Sequence, residues 1–378
     1  MAINWRGDIT FADRLAATSK MQVPYARMGP SVIEYHELVG KNVQLLLASN
    51  DTIADTQDHH INEHIFPNLP TSGSSIGRYI NAQHHADGIF SEVFKAIDPN
   101  ANDNDSNRLV ALKITTPDMM TAPHDSKREA RIIRAAMSDH VIALLNTFQQ
   151  AGGHFVLVFP FMPLALDGLL RNNVLTDATR RTILRDLFSG LAHLHDLDII
   201  HRDVKPGNIL LRSPRGPAYL SDFGIAWSST DPVSEPENEK ILDVGTTCYR
   251  PPELLFGQQA YTSSLDMWAA GCVAAQITSL SSKTLFDAGD LGSELALIKS
   301  HFETLGTPTL ASWPEAESLP DWGKMNFTQY QGGTWDEILP NATAEAKDLV
   351  SSLVVFESGR RLMAKEVSFM SRATDIRI

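Results

Sequence analysis

From Arg78 to Pro160 apolar and polar positions alternate in short runs with turn residues between them, a pattern that predicts an antiparallel sheet. Val110-Ala111-Leu112-Lys113 is one such strand, and HFVLVFPFM at 154–162 is a more apolar one that ends at a proline. The polar stretch PNANDNDSN at 99–107 reads as a hairpin turn. Between the two strands, REARII at 128–133 reads as a helix with Glu129 on the same face as Ile132 and Ile133, toward the core. Farther along the period lengthens. Leu184, Leu187, Leu191 and Leu194 mark a buried helix, and Ile199, Ile200, Ile209, Leu210 and Leu211 read as short strands around a polar loop. Residues 1–76 carry only a hint of helix at Ile33, Leu38, Val43 and Leu45 to Leu47, and PNLPTSG at 67–73 looks like a linker. His59, His60, His64, His84 and His85 lack the cysteine partners or third ligand of a metal site, so this segment is read as an extension without a motif.

The polar loop holds the candidate chemistry. Between His201 and Gly224 the chain offers a base for a hydroxyl proton (Asp203), a neighbouring cation (Lys205) and two oxygen ligands for magnesium (Asn208 and Asp222). Lys113 adds a positive charge inside an apolar strand, where it needs a carboxylate partner; Glu129 is the expected one.

HRDVKPGNILL and SDFG resemble the catalytic and magnesium loops of eukaryotic protein kinases, and Lys205-Pro206 resembles the serine/threonine-specific branch. ADGIFSEVFKAID at 86–98 resembles the kinase glycine-rich loop with Gly88 kept and Ala86 and Ser91 at the other two glycine positions, and VALK resembles the strand whose lysine holds the nucleotide phosphates. The resemblance covers 77 to about 373. It implies an α+β, two-lobed protein kinase fold: a small antiparallel lobe with one helix at 77–160, a larger mainly helical lobe at 163–373, and a tail at 374–378. It implies ATP and Mg2+ as cofactors. Phe159 would back the adenine pocket, Pro160 and Met162 would offer the polar edge, and Val93, Ala111 and Leu210 would sandwich the base. GTTCYRPPELL at 245–255 resembles the substrate-docking segment, with Glu253 expected to pair with Arg361, and Asp266 and Trp268 fall on what resembles the central helix.

ALIKSHFETLGTPTLASWPEAESLPDW at 296–322 and Arg250 after Tyr249 resemble the cyclin-dependent-kinase and MAP-kinase group, most like kinases that activate cyclin-dependent kinases or kinases of that type. The implied function is a serine/threonine kinase that activates cyclin-dependent kinases by phosphorylating their activation loop, with a cyclin-dependent or related kinase acting on another protein substrate as the alternative; the competing class is a pseudokinase scaffold, supported by the reduced glycine loop. APHDSK stands before Glu129 in place of a PSTAIRE-like string, which leaves cyclin dependence doubtful. Ile89 and Phe90 occupy the positions where many relatives carry phosphorylatable Thr and Tyr. Gly245 takes a strained position of the docking segment, which implies a relaxed preference for proline after the phosphoacceptor. Ile241 stands where an activating phosphothreonine is expected, and Trp227 replaces one of its three arginines; Arg128 and Arg202 remain. Glu235, Glu237 and Glu239 are carboxylates that could pair with Arg202 instead, with a solvated loop as the plain alternative.

Composition narrows the setting. In 378 residues, 43% are hydrophobic, 20% are charged and the net charge is -13, which suits a globular chain and argues against a basic face for nucleic acid. Two cysteines, Cys248 and Cys272, suggest no disulfide framework. MWAAGCVAAQI at 267–277 is too short to span a bilayer, and the first residues lack a basic and apolar leader pattern. A monomer in the nucleus or cytoplasm, away from membranes, is expected.

Overall fold

The computed structural model describes residues 69–102, 108–279 and 283–373. Most of the 1–76 extension and the 374–378 tail lie outside the described residues. The first lobe is a six-stranded antiparallel sheet of β1 (Ser74–Ile76), β2 (Tyr79–Asp87), β3 (Ser91–Ile97), β4 (Leu109–Thr115), β5 (Asn146–Gln150) and β6 (His154–Pro160), in the order β1-β2-β3-β4-β6-β5. The sheet therefore begins ahead of residue 77, and Asn81 and Gln83 donate side-chain hydrogen bonds back to the carbonyls of Pro70 and Ser72.

Register sorts the two faces. Tyr79, Ala82, Ala96, Val110, Leu112, Val156 and Val158 form the apolar core of this lobe. The alternate residues are cross-strand partners on the other face: Val93 opposite Lys113 opposite Leu157, and Lys95 opposite Ala111 opposite Phe159. That pairing sets Lys113, Ala111, Val93 and Phe159 side by side on one surface. The α-helix of this lobe among the described residues, α1 (Ser126–Ala135), starts at Asp125, whose carboxylate accepts hydrogen bonds from the amides of Lys127 and Arg128. Its buried face carries Glu129, Ala130, Ile132 and Ile133.

After β7 (Leu164–Ala165), α2 (Leu166–Arg171) and the long α3 (Asp177–Asp196), the chain makes β8 (Ile199–Ile200), the β9–β10 hairpin (Ile209–Leu211, Ala218–Leu220) and β11 (Trp227–Ser228). The helices α4 (Pro252–Leu255), α5 (Ser264–Thr278), α6 (Glu294–Leu305), α7 (Trp335–Ile338), α8 (Ala344–Leu353) and α9 (Ala364–Ala373) complete the second lobe. Every residue of α5 from Leu265 to Thr278 is buried, so the apolar run noted in the sequence is a core helix. Among the described residues no helix is long and apolar enough to cross a membrane. Gly271 permits close packing of α5 on α8: a Cβ there would lie 2.8 Å from side-chain atoms of Leu353 and Val354.

Two contacts anchor the later segments. Glu253 and Arg361 form a buried bidentate pair at 2.6 and 2.7 Å, as expected from the sequence, and Arg361 also donates to the carbonyls of Val355, Ser264 and Phe356. Trp313 and Trp322 of the 296–322 segment pack edge-on against Phe256 at 5.6 and 5.2 Å, which fixes that segment beside α4.

His301 on α6 sits fully buried between Phe286 and Trp268, with neither ring nitrogen hydrogen-bonded, and burial pushes its pKa down to about 3. Its folded-state pKa lies below the unfolded value, so the unfolded chain takes up the proton first. Its stabilising neutrality is complete above about pH 6.5 and is lost progressively as the pH falls toward 3. Urea unfolding at pH 7.5 and 5.5 should show a loss about 1.4 kcal/mol larger in the wild type than in His301→Leu. Equal losses would contradict the buried neutral imidazole.

Candidate functional site

The loop from His201 to Asn208 is held from beneath by α5. The buried carboxylate of Asp266 accepts the backbone N–H groups of His201 and Arg202 at 2.8 and 2.9 Å and pairs with His195 at 3.0 Å. Burial alone would raise its pKa, but the His195 hydrogen bond and the neighbouring imidazoles hold it below the usual carboxylate range. Arg202 and Asp222 both adopt left-handed backbone, at φ +70° and +61°, which is strained for residues with a Cβ and characteristic of functional loops.

Asp203 is the hub of the loop. One carboxylate oxygen accepts from the backbone and hydroxyl of Thr246 at 3.0 and 2.7 Å, and the other from Asn208 at 2.9 Å and from Lys205 at 2.7 Å. Lys205 also donates to the Thr246 hydroxyl at 2.8 Å. Asn208 donates its side-chain amide to the carbonyl of Asp203 at 2.8 Å as well, so its amide oxygen is left as the acceptor. Thr246 was not among the residues expected at this centre. As an ordinary threonine in a loop, it carries no signal in the sequence.

Lys113 reaches three carboxylate oxygens: both of Glu129, at 2.8 and 3.0 Å, and Oδ1 of Asp222 at 2.8 Å. The expected Lys113–Glu129 pair is thus formed, and it draws in Asp222 from the second lobe. Burial works against the Lys113 ammonium, but Asp222 and Glu129 together raise its pKa. Lys113 in turn holds the Asp222 carboxyl far below the usual range, so Asp222 is an anion. Half of its side chain is exposed, and one oxygen is not used by Lys113, so Asp222 and the Asn208 amide oxygen suit a hard divalent cation.

The remaining expected residues surround this charge cluster. Val93, Ala111 and Phe159 share its face of the sheet, and Ala86 pairs with Val93 one strand farther out. Gly88 makes the β2–β3 turn by donating its N–H to the Ser91 carbonyl at 2.7 Å. Pro160 ends β6, the next amide, of Phe161, is taken by the Leu109 carbonyl at 3.0 Å, and Met162 follows, largely buried. Leu210 lies in the second lobe, paired with Ala165 of β7 just beyond Met162.

The segment after Asp222 is ordered by carboxylates. Arg202 holds Glu235 through both nitrogens at 3.1 and 3.3 Å, and Arg128 of α1 approaches the same carboxylate at 3.8 Å. Burial opposes the charge, but Arg202 keeps the Glu235 carboxyl below its usual range. Of the three glutamates open in the sequence, Glu235 is the one in place, while Glu237 and Glu239 have exposed side chains. Trp227 donates its indole N–H to the Glu235 carbonyl at 2.9 Å, and the Lys240 ammonium stacks over the Trp227 ring at 4.5 Å. A second tie, Arg131 to Asp231 at 2.6 and 3.0 Å, joins α1 to the segment again. Sequence reasoning missed it, because two polar residues 100 positions apart carry no shared pattern. Gly245 takes φ +77°, with its carbonyl held by Arg250 at 2.9 Å; Arg250 also pairs with Asp243 and Glu294.

The family model for the protein kinase domain matches residues 80–370. Serine/threonine-protein kinase csk1 of Schizosaccharomyces pombe is 35% identical over 75% of this chain and 92% of its own length. Cyclin-dependent kinase 7 of Xenopus laevis is 34% identical, with 74% of this chain and 76% of the relative covered, and cyclin-dependent kinase 20 of Danio rerio is 30% identical over 74% and 78%. The solved structure of the yeast RNA Pol II CTD kinase CTDK-1 complex superposes with a TM-score of 0.67 at 25% identity, covering 80% of this chain and 94% of that one.

Lys113 stands between two carboxylates, one of them fully buried, so its loss should cost more than a surface charge. Lys113→Met is expected to destabilise by about 3 kcal/mol in urea unfolding, and adding Glu129→Leu should recover most of that loss. A single variant as stable as the wild type would contradict the pairing of Lys113 with the buried Glu129.

Proposed function

Since this chain belongs to the protein kinase family and is a serine/threonine kinase of the cyclin-dependent-kinase type, we propose that it transfers the γ-phosphate of ATP to a cyclin-dependent kinase, acting as a single subunit. Protein kinases as a family use ATP and magnesium. Here Pro160 would accept from the adenine amino group through its carbonyl and Met162 would offer its N–H and carbonyl, with Val93, Ala111 and Leu210 on the faces of the base and Phe159 behind it. Ala86 and Gly88 would cover the phosphates, and Lys113, fixed by Glu129, would position them. Asn208 and Asp222 would hold magnesium, which when bound neutralises phosphate charge and fixes the triphosphate geometry.

Asp203 carries this reading: a single carboxylate holds Thr246, Lys205 and Asn208 within hydrogen-bond reach. A substrate hydroxyl displacing Thr246 from Oδ1 would give its proton to Asp203 as its oxygen takes the γ-phosphoryl group and ADP leaves. Lys205 would steady the transferred phosphoryl group through its positive charge.

Independence from an upstream kinase and from a cyclin rests on the segment that follows. Glu235 stands between Arg202 and Arg128 where a phosphate would otherwise supply the negative charge, and the Arg131–Asp231 pair holds α1 inward from within the chain. The setting proposed for this reaction is the nucleus or cytoplasm.

Protein purified from bacteria, without added cyclin, should phosphorylate the activation loop of an inactive cyclin-dependent kinase. Asp203→Asn should lower the rate at least about a hundredfold with the fold unchanged. Activity on a generic substrate but none on the cyclin-dependent kinase would keep the chemistry and discard the substrate. Equal background signal from wild type and variant would discard the kinase mechanism for a scaffold.

A further inference from the structure

The β2–β3 hairpin that covers the phosphate side of the proposed nucleotide site keeps only Gly88 at its turn, and the side chain of Ile89 beside it is 84% exposed. The next residue behaves differently. Phe90 is half-buried, and its ring lies 4.9 Å from the imidazole of His124, tilted by 57°. His124 belongs to the loop that leads into α1. Its amide donates to the Thr121 carbonyl at 2.9 Å, and the following residue, Asp125, both caps α1 and donates its amide to the Gly224 carbonyl of the magnesium-loop segment at 3.2 Å. One short loop therefore touches the hairpin tip, the start of α1 and the loop that carries Asp222.

The imidazole also lies within electrostatic reach of Lys113, Asp203, Asp222 and Arg128, the charged groups of the proposed phosphoryl-transfer centre. An aromatic contact at this place has a direct consequence. A hairpin with a single turn glycine approaches phosphate less freely through its backbone, so its closed position needs another source of order. Ring packing on a loop that is itself tied to Gly224 and α1 supplies that order.

We propose that Phe90 and His124 form a latch that holds the β2–β3 hairpin closed over the phosphate end of the nucleotide, which makes His124 a positioning residue for phosphoryl transfer. The latch rests on the ATP reading above. It acts by limiting the escape of bound ATP, while the transfer step remains with Asp203, Lys113 and their partners. The two rings work as one unit, so losing either removes the whole contact.

Steady-state kinetics with ATP varied at a saturating protein substrate, together with calorimetric ATP titration, test it. Phe90→Ala and His124→Ala should each raise KM for ATP about fivefold with kcat within about twofold of wild type, and the double variant should be no worse than either single one. Phe90→Tyr, which keeps the ring, should bind ATP as the wild type does. Unchanged KM in both alanine variants, fully additive effects, or a tyrosine variant as impaired as the alanine one would overturn the latch. Wild-type protein that does not bind ATP in the titration would overturn the nucleotide reading itself, and the latch with it.

Discussion

One carboxylate between two arginines holds the catalytic half of this molecule in shape. The Arg202 side chain is fully buried, and an unpaired guanidinium there would carry a desolvation cost of several kcal/mol. Glu235 removes most of that cost, and it does so at a junction. Arg202 stands next to Asp203 in the chain, with its own amide fixed by Asp266, so the position of Glu235 reaches the centre through a single residue. Arg128 extends the same carboxylate to α1, the helix that carries Glu129.

The charges then form a chain across the two lobes. Glu235 holds α1, α1 presents Glu129 from its buried face, Glu129 fixes Lys113, and Lys113 meets Asp222. Each link is weak if exposed and strong if desolvated, which is why burial of Glu129 and Arg202 matters more than the number of ion pairs. The Arg131–Asp231 pair is a parallel tie between the same two elements, with the Asp231 side chain only 4% exposed. The proposed independence from a phosphate and from a partner pressing on α1 rests on these two ties.

Much of this could be read in the sequence where a pattern accompanied the chemistry. The HRDVKPGN and SDFG strings sit between apolar strand pairs, so both their identity and their loop setting were visible, and Lys113 inside an apolar strand demanded a carboxylate, for which the core-facing Glu129 was the expected one. Glu253 with Arg361, and Asp266 beneath the loop, followed from the family resemblance and are present as pairs. What escaped were contacts whose residues look ordinary in one dimension: Thr246 on Asp203, Asp231 on Arg131, Lys240 over Trp227, Phe90 on His124. The choice of Glu235 over Glu237 and Glu239 was open for the same reason, since alternating glutamates in a polar loop differ only in which one the fold turns inward. The β1 strand, starting at Ser74, was hidden by a stretch rich in Pro, Ser and Gly that composition marks as a linker.

The most direct measurement compares phosphate-free wild-type protein, its phosphorylation state verified by mass spectrometry, with Glu235→Gln and Glu237→Gln in a transfer assay. Wild type is expected to be active without any phosphate, Glu235→Gln to lose at least about tenfold in rate because a neutral amide cannot compensate two arginines, and Glu237→Gln to match wild type. Equal rates in wild type and Glu235→Gln, or a wild type silent until another kinase modifies it, would rule out Glu235 as the group that orders the segment.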